Sequence, residues 1–330
     1  MSRSQPSASQ PSPAMAAILT RLAAEDAGLP DPTLLPAAEG RAQAARGNAR
    51  WNRDLPEMAE VREVSVEGPA GPLPCRILVP KGAVRGTILY LHGGGWAFCD
   101  RDTHERACRL LAMAAGAVVV NADYRLAPEH PFPAGLEDAR AIWAALHAGH
   151  APFAGLAGPY ALAGDSAGAN LALAVMLGAD APPADCGLLF YGVYGADFTT
   201  ASYTEFAEGP GLSRAKMQRY WDWYAPEALR DNPQLAPLRA TDAALRALPP
   251  LYLNAAEIDP LRSDSERLYA RLMALGRADR FRLHGGVVHG FMQMSLELEE
   301  AQRALVDAGE AFRSLTHQPP RRDTPRERDR

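Results

Sequence analysis

Short apolar segments alternate with helical segments along most of this chain, and this rhythm restricts its fold more than any other feature. A strand with no polar side must be buried on both faces. Such strands, separated by helices, are typical of an α/β fold in which a mostly parallel sheet is flanked by helices. The predicted strands are residues 61–66, 76–79, 87–91, 117–120, 160–163, 187–191, 251–254 and 281–283. The predicted helices are residues 102–115, 134–146, 167–177, 264–275 and 297–315.

Two parts of the chain stand outside this alternation. Residues 14–58 are rich in Ala and Leu with proline breaks, which indicates a few short helices. Residues 195–236 carry no strand pattern, so we interpret them as a helical insertion over the carboxyl edge of the sheet, where ligands bind in such folds. Together the two parts would form a cap. Three aromatic residues of the insertion are expected mainly to pack: Trp221, Trp223 and Tyr224.

The two ends of the chain have a different composition. Residues 1–13 are rich in Ser, Pro and Gln, and residues 317–330 are rich in Pro and charge, so both are predicted to be disordered. A length of 330 residues suits one large domain with a smaller addition. We therefore expect the α/β domain to occupy residues 59–316, interrupted by the insertion.

Charge, cysteine content and hydropathy exclude several classes of protein. The net charge is −5, which does not provide the basic field that nucleic-acid binding needs. The four cysteines form no paired motif for zinc or redox chemistry. Residues 14–19 are too short an apolar run for a signal peptide or a membrane span. We expect a cytoplasmic protein with no metal, no membrane span and no nucleic-acid partner.

The motif with the clearest chemistry is Gly-Asp-Ser-Ala-Gly at residues 164–168, between a predicted strand and a predicted helix. A tight turn at this place forces the serine into strained backbone geometry, and the flanking glycines remove side chains that would collide. This is the context of a nucleophile elbow, in which the hydroxyl of Ser166 projects from the turn. Because a serine is a weak nucleophile at neutral pH, it needs a base.

A second motif, His-Gly-Gly-Gly at residues 92–95, directly follows a predicted strand. Consecutive glycines expose backbone N–H groups that can donate to a developing oxyanion. A plain flexible turn and a phosphate loop are the alternatives, and no Lys-Ser/Thr follows the glycines as a phosphate loop requires. We interpret His92 as a structural residue that holds the loop.

Candidates for the base and the acid follow the last two predicted strands. His289 lies in a glycine-rich loop, whereas His284, at the strand end, is interpreted as structural. The acid is expected between the serine and the histidine in chain order, where Asp259 follows a strand and precedes a proline. Glu257 is the rival candidate, and Asp264 is interpreted as the cap of the next helix.

Five segments, in this order, resemble those of the hormone-sensitive-lipase-like esterases, the bacterial family IV carboxylesterases of the α/β-hydrolase superfamily. They are residues 92–96, 123–134, 164–168, 259–261 and 289–291. The chain departs from the family pattern at residues 262–264, where it has Arg-Ser-Asp instead of Arg-Asp-Glu, and at Gly192, where relatives often have proline. These departures concern substrate choice more than the catalytic residues.

The family resemblance implies an α/β-hydrolase fold with a helical cap and no cofactor. The catalytic triad that it implies is Ser166, Asp259 and His289. The oxyanion hole that it implies consists of backbone N–H groups of Gly94, Gly95 and Ala167, with Gly93 as a further candidate.

The residues and the resemblance together predict a serine hydrolase that cleaves short- to medium-chain carboxylic esters through an acyl-enzyme. The same triad serves acyl transfer in general, so an amide, lactone or N-acetyl substrate is an alternative. A non-catalytic small-molecule receptor is a further alternative, disfavoured because all three triad residues are present. The expected partner is a small-molecule ester, and the edge strand near Phe281 with the last helix could support a homodimer.

Overall fold

The apolar segments form the central sheet in the computed structural model, which describes residues 9–317. Residues 1–8 and 318–330, which include most of the two ends predicted to be disordered, lie outside the described residues. The strands are β1 (Glu60–Gly68), β2 (Gly71–Val79), β3 (Thr87–Leu91), β4 (Val118–Ala122), β5 (Tyr160–Asp165), β6 (Cys186–Phe190), β7 (Leu251–Ile258) and β8 (Arg280–Val288). The helices are α1 (Pro13–Glu25), α2 (Ala37–Ala49), α3 (Glu105–Ala115), α4 (Ala134–Ala148), α5 (Ala167–Met176), α6 (Ala201–Glu205), α7 (Arg214–Tyr224), α8 (Asp242–Ala247), α9 (Arg262–Ala274) and α10 (Glu299–Thr316).

Within residues 9–317, the strands form one sheet in the order β1-β2-β4-β3-β5-β6-β7-β8. β1 pairs antiparallel with β2, and β2 pairs antiparallel with β4. Every pairing from β4 to β8 is parallel, which confirms the prediction of a mostly parallel sheet. Because parallel strands end at the same edge, the segments after β3, β5, β7 and β8 all emerge there.

Both faces of the sheet are covered, which explains why its inner strands have no polar side. Successive side chains of a strand point to opposite faces. Leu89 and Val120 join the apolar cluster on the face covered by α4 and α5, whereas Ile88 and Val119 join the cluster beneath α3 and α10. Burial of apolar surface on both faces therefore fixes which side chains of each strand meet which helices.

The N-terminal segment is ordered further toward its start than its composition suggested. Ser12 accepts a hydrogen bond from Met15 N–H over 3.2 Å and so caps α1. Its own N–H donates to the carbonyl of Gly286 over 2.9 Å. The prediction of disorder is therefore wrong for Ser12 and Pro13, because side-chain capping and a bond to β8 hold them.

The last two strands are longer than predicted. β8 continues to Val288, so Gly285 and Gly286 lie within the strand and not in the loop. The pairing of β7 with β8 reaches Ile258 and Val288 across an irregularity in register. Because the strands extend this far, Asp259 and His289 directly follow their ends.

Two groups of helices lie outside the alternation, α1 and α2 before β1, and α6 to α8 between β6 and β7. Trp221 is fully buried, and the ring of Tyr224 stacks on Trp96 with centroids 4.2 Å apart. Trp223 meets the ring of Phe98 edge to face at 5.7 Å. These aromatic residues pack, as the sequence analysis expected.

Candidate active site

Ser166 stands on the turn between β5 and α5. Its φ of 53° and ψ of −117° belong to a strained conformation that residues other than glycine rarely adopt. Its N–H donates to the Phe190 carbonyl over 2.9 Å, which holds the turn in place. A Cβ at Gly168 would overlap the Leu91 carbonyl oxygen, so only glycine lets α5 pass this close to β3. This is the geometry of a nucleophile elbow.

The structure brings Ser166, His289 and Asp259 together from three distant parts of the chain. The Ser166 hydroxyl donates to Nε2 of His289 over 3.0 Å. Nδ1 of His289 donates to Oδ2 of Asp259 over 2.7 Å. The His289 side chain keeps 14% of its surface exposed, whereas Asp259 is buried. The arrangement can move a proton from the serine to the imidazole and hold the resulting charge.

Asp259 is oriented by the turn that follows β7. Its second oxygen, Oδ1, accepts from Leu261 N–H over 2.8 Å, so both oxygens of the carboxylate have fixed donors. The rival Glu257 accepts instead from Gly286 N–H over 2.7 Å and ties β7 to β8. Of the two candidates for the acid, the structure therefore places Asp259 against the imidazole.

The glycine loop after β3 lies beside the elbow because β3 and β5 are neighbours, with Leu91 paired to Gly164. Gly94 and Gly95 have positive φ values of 116° and 62° and line the same cavity as Ser166. Ala167 is the first residue of α5, where a backbone N–H has no partner within the helix. Backbone segments on two sides of the serine thus carry the glycine and alanine residues predicted for the oxyanion hole.

A second carboxylate and a second imidazole lie on the other side of the elbow. Asp165 accepts from the Tyr90 hydroxyl over 2.8 Å and from Gly93 N–H over 2.9 Å, and Nε2 of His104 lies 3.2 Å from Oδ1. Burial acts to raise the pKa of Asp165, but attraction to His104 and the hydrogen bonds outweigh burial and lower the pKa. We call these side chains, Tyr90, His104 and Asp165, the loop anchor, because they fasten the glycine loop to the elbow.

The loop anchor corrects one expectation and reveals residues that sequence reasoning missed. Since Gly93 N–H already donates to Asp165, the expectation that it could join the oxyanion hole is wrong. In the sequence, Asp165 stands out only as a member of the motif, and His104 belongs to no motif. The available signal was an acidic residue within an otherwise small and apolar motif, since a buried carboxylate needs partners.

Two further histidines are structural, as expected. Nδ1 of His92 bonds to the Gly93 carbonyl over 2.7 Å, and its ring stacks on Tyr124 with centroids 4.4 Å apart. Burial and the nearby His104 lower the pKa of His92. Nδ1 of His284 lies 2.6 Å from a carboxylate oxygen of Glu300, and burial lowers its pKa.

Asp264 does not cap α9, so this expectation is wrong. Its buried carboxylate accepts from the N–H groups of Tyr194 and Gly195 over 2.8 and 2.9 Å. Burial raises the pKa of Asp264 to about 7, against the lowering effect of these two hydrogen bonds. The side chain points inward and ties α9 to the chain that leaves β6, so it does not cap the helix.

Ser166 opens into a cavity of about 230 Å³. Residues from the end of α2, from the segment around α7 and from the segment after His289 complete its wall: Asn48, Trp51, Leu212, Met217, Tyr220, Gln293 and Met294. The ring of Tyr220 fills the space that a Cβ on Gly95 would occupy. Sequence reasoning missed these wall residues, because no periodic pattern shows which side of a helical insertion faces the site.

Cys99 also lines this cavity. Burial raises the pKa of its thiol to about 12, so the thiol is protonated near neutral pH. Since the thiolate is the reactive form, Cys99 does not compete with Ser166 as a nucleophile.

Comparison with known proteins agrees with this architecture. A family model described as the α/β-hydrolase fold matches residues 88–293. Carboxylesterase NlhH of Mycobacterium tuberculosis is 36% identical over 289 residues, which cover 83% of this chain and 89% of that protein. Esterase LipI of the same organism is 38% identical over 281 residues, which cover 80% of this chain and 87% of that protein.

Solved structures give the same result. An α/β-hydrolase enzyme, LAE6, from the metagenome of Lake Arreo has a TM-score of 0.87 at 32% identity, covering 92% of this chain and 98% of its own. A thermostable esterase from Pseudomonas putida has a TM-score of 0.85 at 28% identity, covering 96% and 100%. The sheet, the elbow and the contacts of the serine define the α/β-hydrolase class. Within this class, the chain belongs to the hormone-sensitive-lipase-like family of carboxylesterases that its five segments resemble.

Proposed function

We propose that this chain hydrolyses carboxylic esters in two steps through an acyl-enzyme formed on Ser166. The observation that carries the proposal is the unbroken series of hydrogen bonds from Ser166 through His289 to Asp259, of 3.0 and 2.7 Å. Two relatives that are 36% and 38% identical to the chain are named as a carboxylesterase and an esterase. These names support an ester as the bond that is cleaved.

The first step transfers the acyl group to the enzyme. Oγ of Ser166 attacks the carbonyl carbon while its proton moves to Nε2 of His289, and Asp259 offsets the charge of the imidazolium. The carbonyl oxygen becomes an oxyanion, which we assign to the N–H groups of Gly94, Gly95 and Ala167. The C–O bond to the alcohol then breaks, and His289 gives its proton to the departing oxygen.

The second step returns the enzyme to its starting state. His289 takes a proton from a water molecule, and the water oxygen attacks the acyl carbon. The bond between that carbon and Oγ of Ser166 breaks, and the serine regains its proton from His289. The net reaction consumes one ester and one water and releases a carboxylic acid and an alcohol.

We propose that the preferred acyl chains are short to medium in length. The cavity of about 230 Å³ is smaller than most sites for drug-sized ligands, which measure about 300 to 1,000 Å³. Its apolar residues include Leu212, Met217 and Met294. Each methylene that such walls bury contributes about 0.8 kcal/mol, and this gain stops once the cavity is full.

We further propose that residues 14–58 and the insertion at 195–236 act as the cap. The contacts that support this are those of Trp51, which follows α2, and of Met217 and Tyr220 on α7, all of which line the cavity. The cap would determine which acyl and alcohol groups enter.

The proposal is tested by removing the nucleophile. Ser166→Ala is expected to lower kcat on a chromogenic short-chain ester by several orders of magnitude and to abolish labelling by a fluorophosphonate. Ser314→Ala, the same change at a half-buried position of α10, is the control and should react like the wild type. Near wild-type turnover by Ser166→Ala would overturn the proposal, and higher kcat/KM for a matched amide than for the ester would redirect it to an amidase.

Two other predictions, a cytoplasmic location and a homodimer, stay predictions. β8 lies at the edge of the sheet, and its Leu283 is 43% exposed, which supports the second of them. No helix among residues 9–317 combines the length and the apolar character needed to cross a bilayer.

A further inference from the structure

One polar side chain in the cavity wall has no partner of its own. Gln293 lies on the short 3-10 helix Phe291–Met294, four positions after His289, and lines the cavity that Ser166 opens into. The residue is only 8% exposed. Among residues 9–317, no atom accepts a hydrogen bond from its amide nitrogen, Nε2.

Three other polar side chains of the same wall, Asn48, His104 and Asp165, differ from Gln293 in this respect. Nδ2 of Asn48 donates to the Ala44 carbonyl over 2.9 Å, and His104 and Asp165 belong to the loop anchor. The same wall also contains apolar residues, among them Met294, next to Gln293 in sequence, and Leu212 and Met217 from the insertion. A buried amide nitrogen without a partner costs free energy, and this cost is recovered when the carboxamide turns so that the nitrogen meets a ligand in the cavity.

We propose that Gln293 recognises a hydrogen-bonding group on the substrate, so that the preferred substrates are hydroxy esters. A half-turn about the terminal torsion exchanges the two ends of a carboxamide, and either end can then face the cavity. A hydroxyl suits both orientations, because it accepts from the nitrogen and donates to the oxygen. This inference rests on the proposed function, since it assigns the substrate class of the same site.

The inference is tested with pairs of esters that differ only by a hydroxyl in place of a methyl group. Ethyl 3-hydroxybutyrate and ethyl 3-methylbutyrate test the acyl side, and 2-hydroxyethyl butyrate and propyl butyrate test the alcohol side. The wild type is expected to favour the hydroxyl member of one pair by about tenfold in kcat/KM, the effect of one hydrogen bond. Acid release in a pH-stat measures each rate.

Two variants assign the preference to one amide group. Gln293→Met keeps the length of the side chain and removes its polar atoms, so the tenfold ratio between the hydroxyl and methyl members should fall to about one. Gln302→Met is the matched control, because Nε2 of Gln302 already donates to the Ser295 carbonyl over 2.8 Å outside the cavity wall. It should keep the wild-type ratio.

Binding to the inactive Ser166→Ala variant separates this inference from the proposed function. Isothermal titration should show the hydroxyl member binding about tenfold more tightly, and the advantage should disappear when Gln293→Met is added. This result would support the inference even if turnover of esters failed. Equal rates and equal binding within both pairs, or a preference that survives Gln293→Met, would overturn it.

Discussion

Two pairs of aspartate and histidine flank the elbow, and their surroundings differ. His289 contacts the Ser166 hydroxyl at 3.0 Å and keeps 14% of its side chain exposed to the cavity. His104 is 3% exposed, and its Nδ1 lies 2.9 Å from the hydroxyl of Thr103. Asp259 meets an imidazole and one backbone N–H, whereas Asp165 meets an imidazole, a phenol and a backbone N–H.

The comparison shows that the residue types of such a pair do not determine its task. An imidazole that faces a hydroxyl and an open cavity can exchange protons with a substrate. An imidazole enclosed by fixed partners holds a carboxylate in place and thereby holds whatever that carboxylate binds. Asp165 and Ser166 are neighbours on one strained turn, so the elbow presents the nucleophile and also fastens the glycine loop.

The largest expected effect comes from the exposed pair. His289→Ala should lower kcat by about 10⁴-fold or more, because Ser166 then has no base, and should leave the protein folded at the assay temperature. His147→Ala, on α4, is the control and should keep wild-type turnover. Initial rates and thermal melts check both variants. Comparable turnover in His289→Ala would remove the distinction between the two pairs.

The buried pair should affect stability first and rate second. Asp165→Asn keeps the shape of the side chain but removes the negative charge that strengthens its bonds to Gly93 and His104, so the free energy of unfolding should fall by about 3 to 5 kcal/mol. A displaced loop should also lower kcat by about tenfold to a hundredfold at similar KM. Urea denaturation and steady-state kinetics measure the two effects. An unchanged kcat in a destabilised variant would show that the anchor does not position the loop.

Asp264 sharpens the comparison, because this carboxylate has backbone donors and no imidazole. Its folded-state pKa of about 7 exceeds the ordinary 3.8, so its contribution to stability is full below pH 3.8 and is lost as the pH rises through 7. Relative to the wild type, Asp264→Asn should therefore gain about 2 to 4 kcal/mol between pH 4 and pH 8. Denaturation curves at both pH values give the difference. A constant difference would mean that Asp264 does not titrate in this range.

The smallest effect is expected from a single donor of the loop anchor. Tyr90→Phe removes one of the hydrogen bonds to Asp165, of 2.8 Å, and leaves the others. The free energy of unfolding should fall by about 1 kcal/mol, with kcat within about threefold of the wild type. A loss as large as that of Asp165→Asn would indicate that the anchor works as one cooperative unit, which a double-mutant cycle would measure.

The sheet could be predicted from the sequence because a continuous apolar strand has few alternative environments. Every strand of the alternation, β3 to β8, is present. The ends of β7 and β8 were placed too early, since Glu257 and His284 interrupt the apolar pattern. Both residues stay within strands because Gly286 N–H and Glu300 satisfy them, and such partners come from other parts of the chain.

The candidate site could be predicted in part for the same reason. Ser166, Asp259 and His289 each follow a strand of a parallel sheet, so their positions in the sequence imply one common edge. The loop anchor and the cavity wall could not be predicted in this way. Asp165 and His104 meet only through the packing of α3 against the sheet, and Leu212, Met217 and Tyr220 belong to a segment without sheet register.

The ring of Tyr220 occupies the volume in which a side chain on Gly95 would lie. Positions 95 and 220 are therefore not independent variables for anyone who wishes to redesign this enzyme. A mutant library that varies only the insertion samples only sequences that fit a glycine at position 95. Pairing a smaller residue at 220 with alanine at 95 would remove the overlap and leave only the strain of a positive φ at position 95.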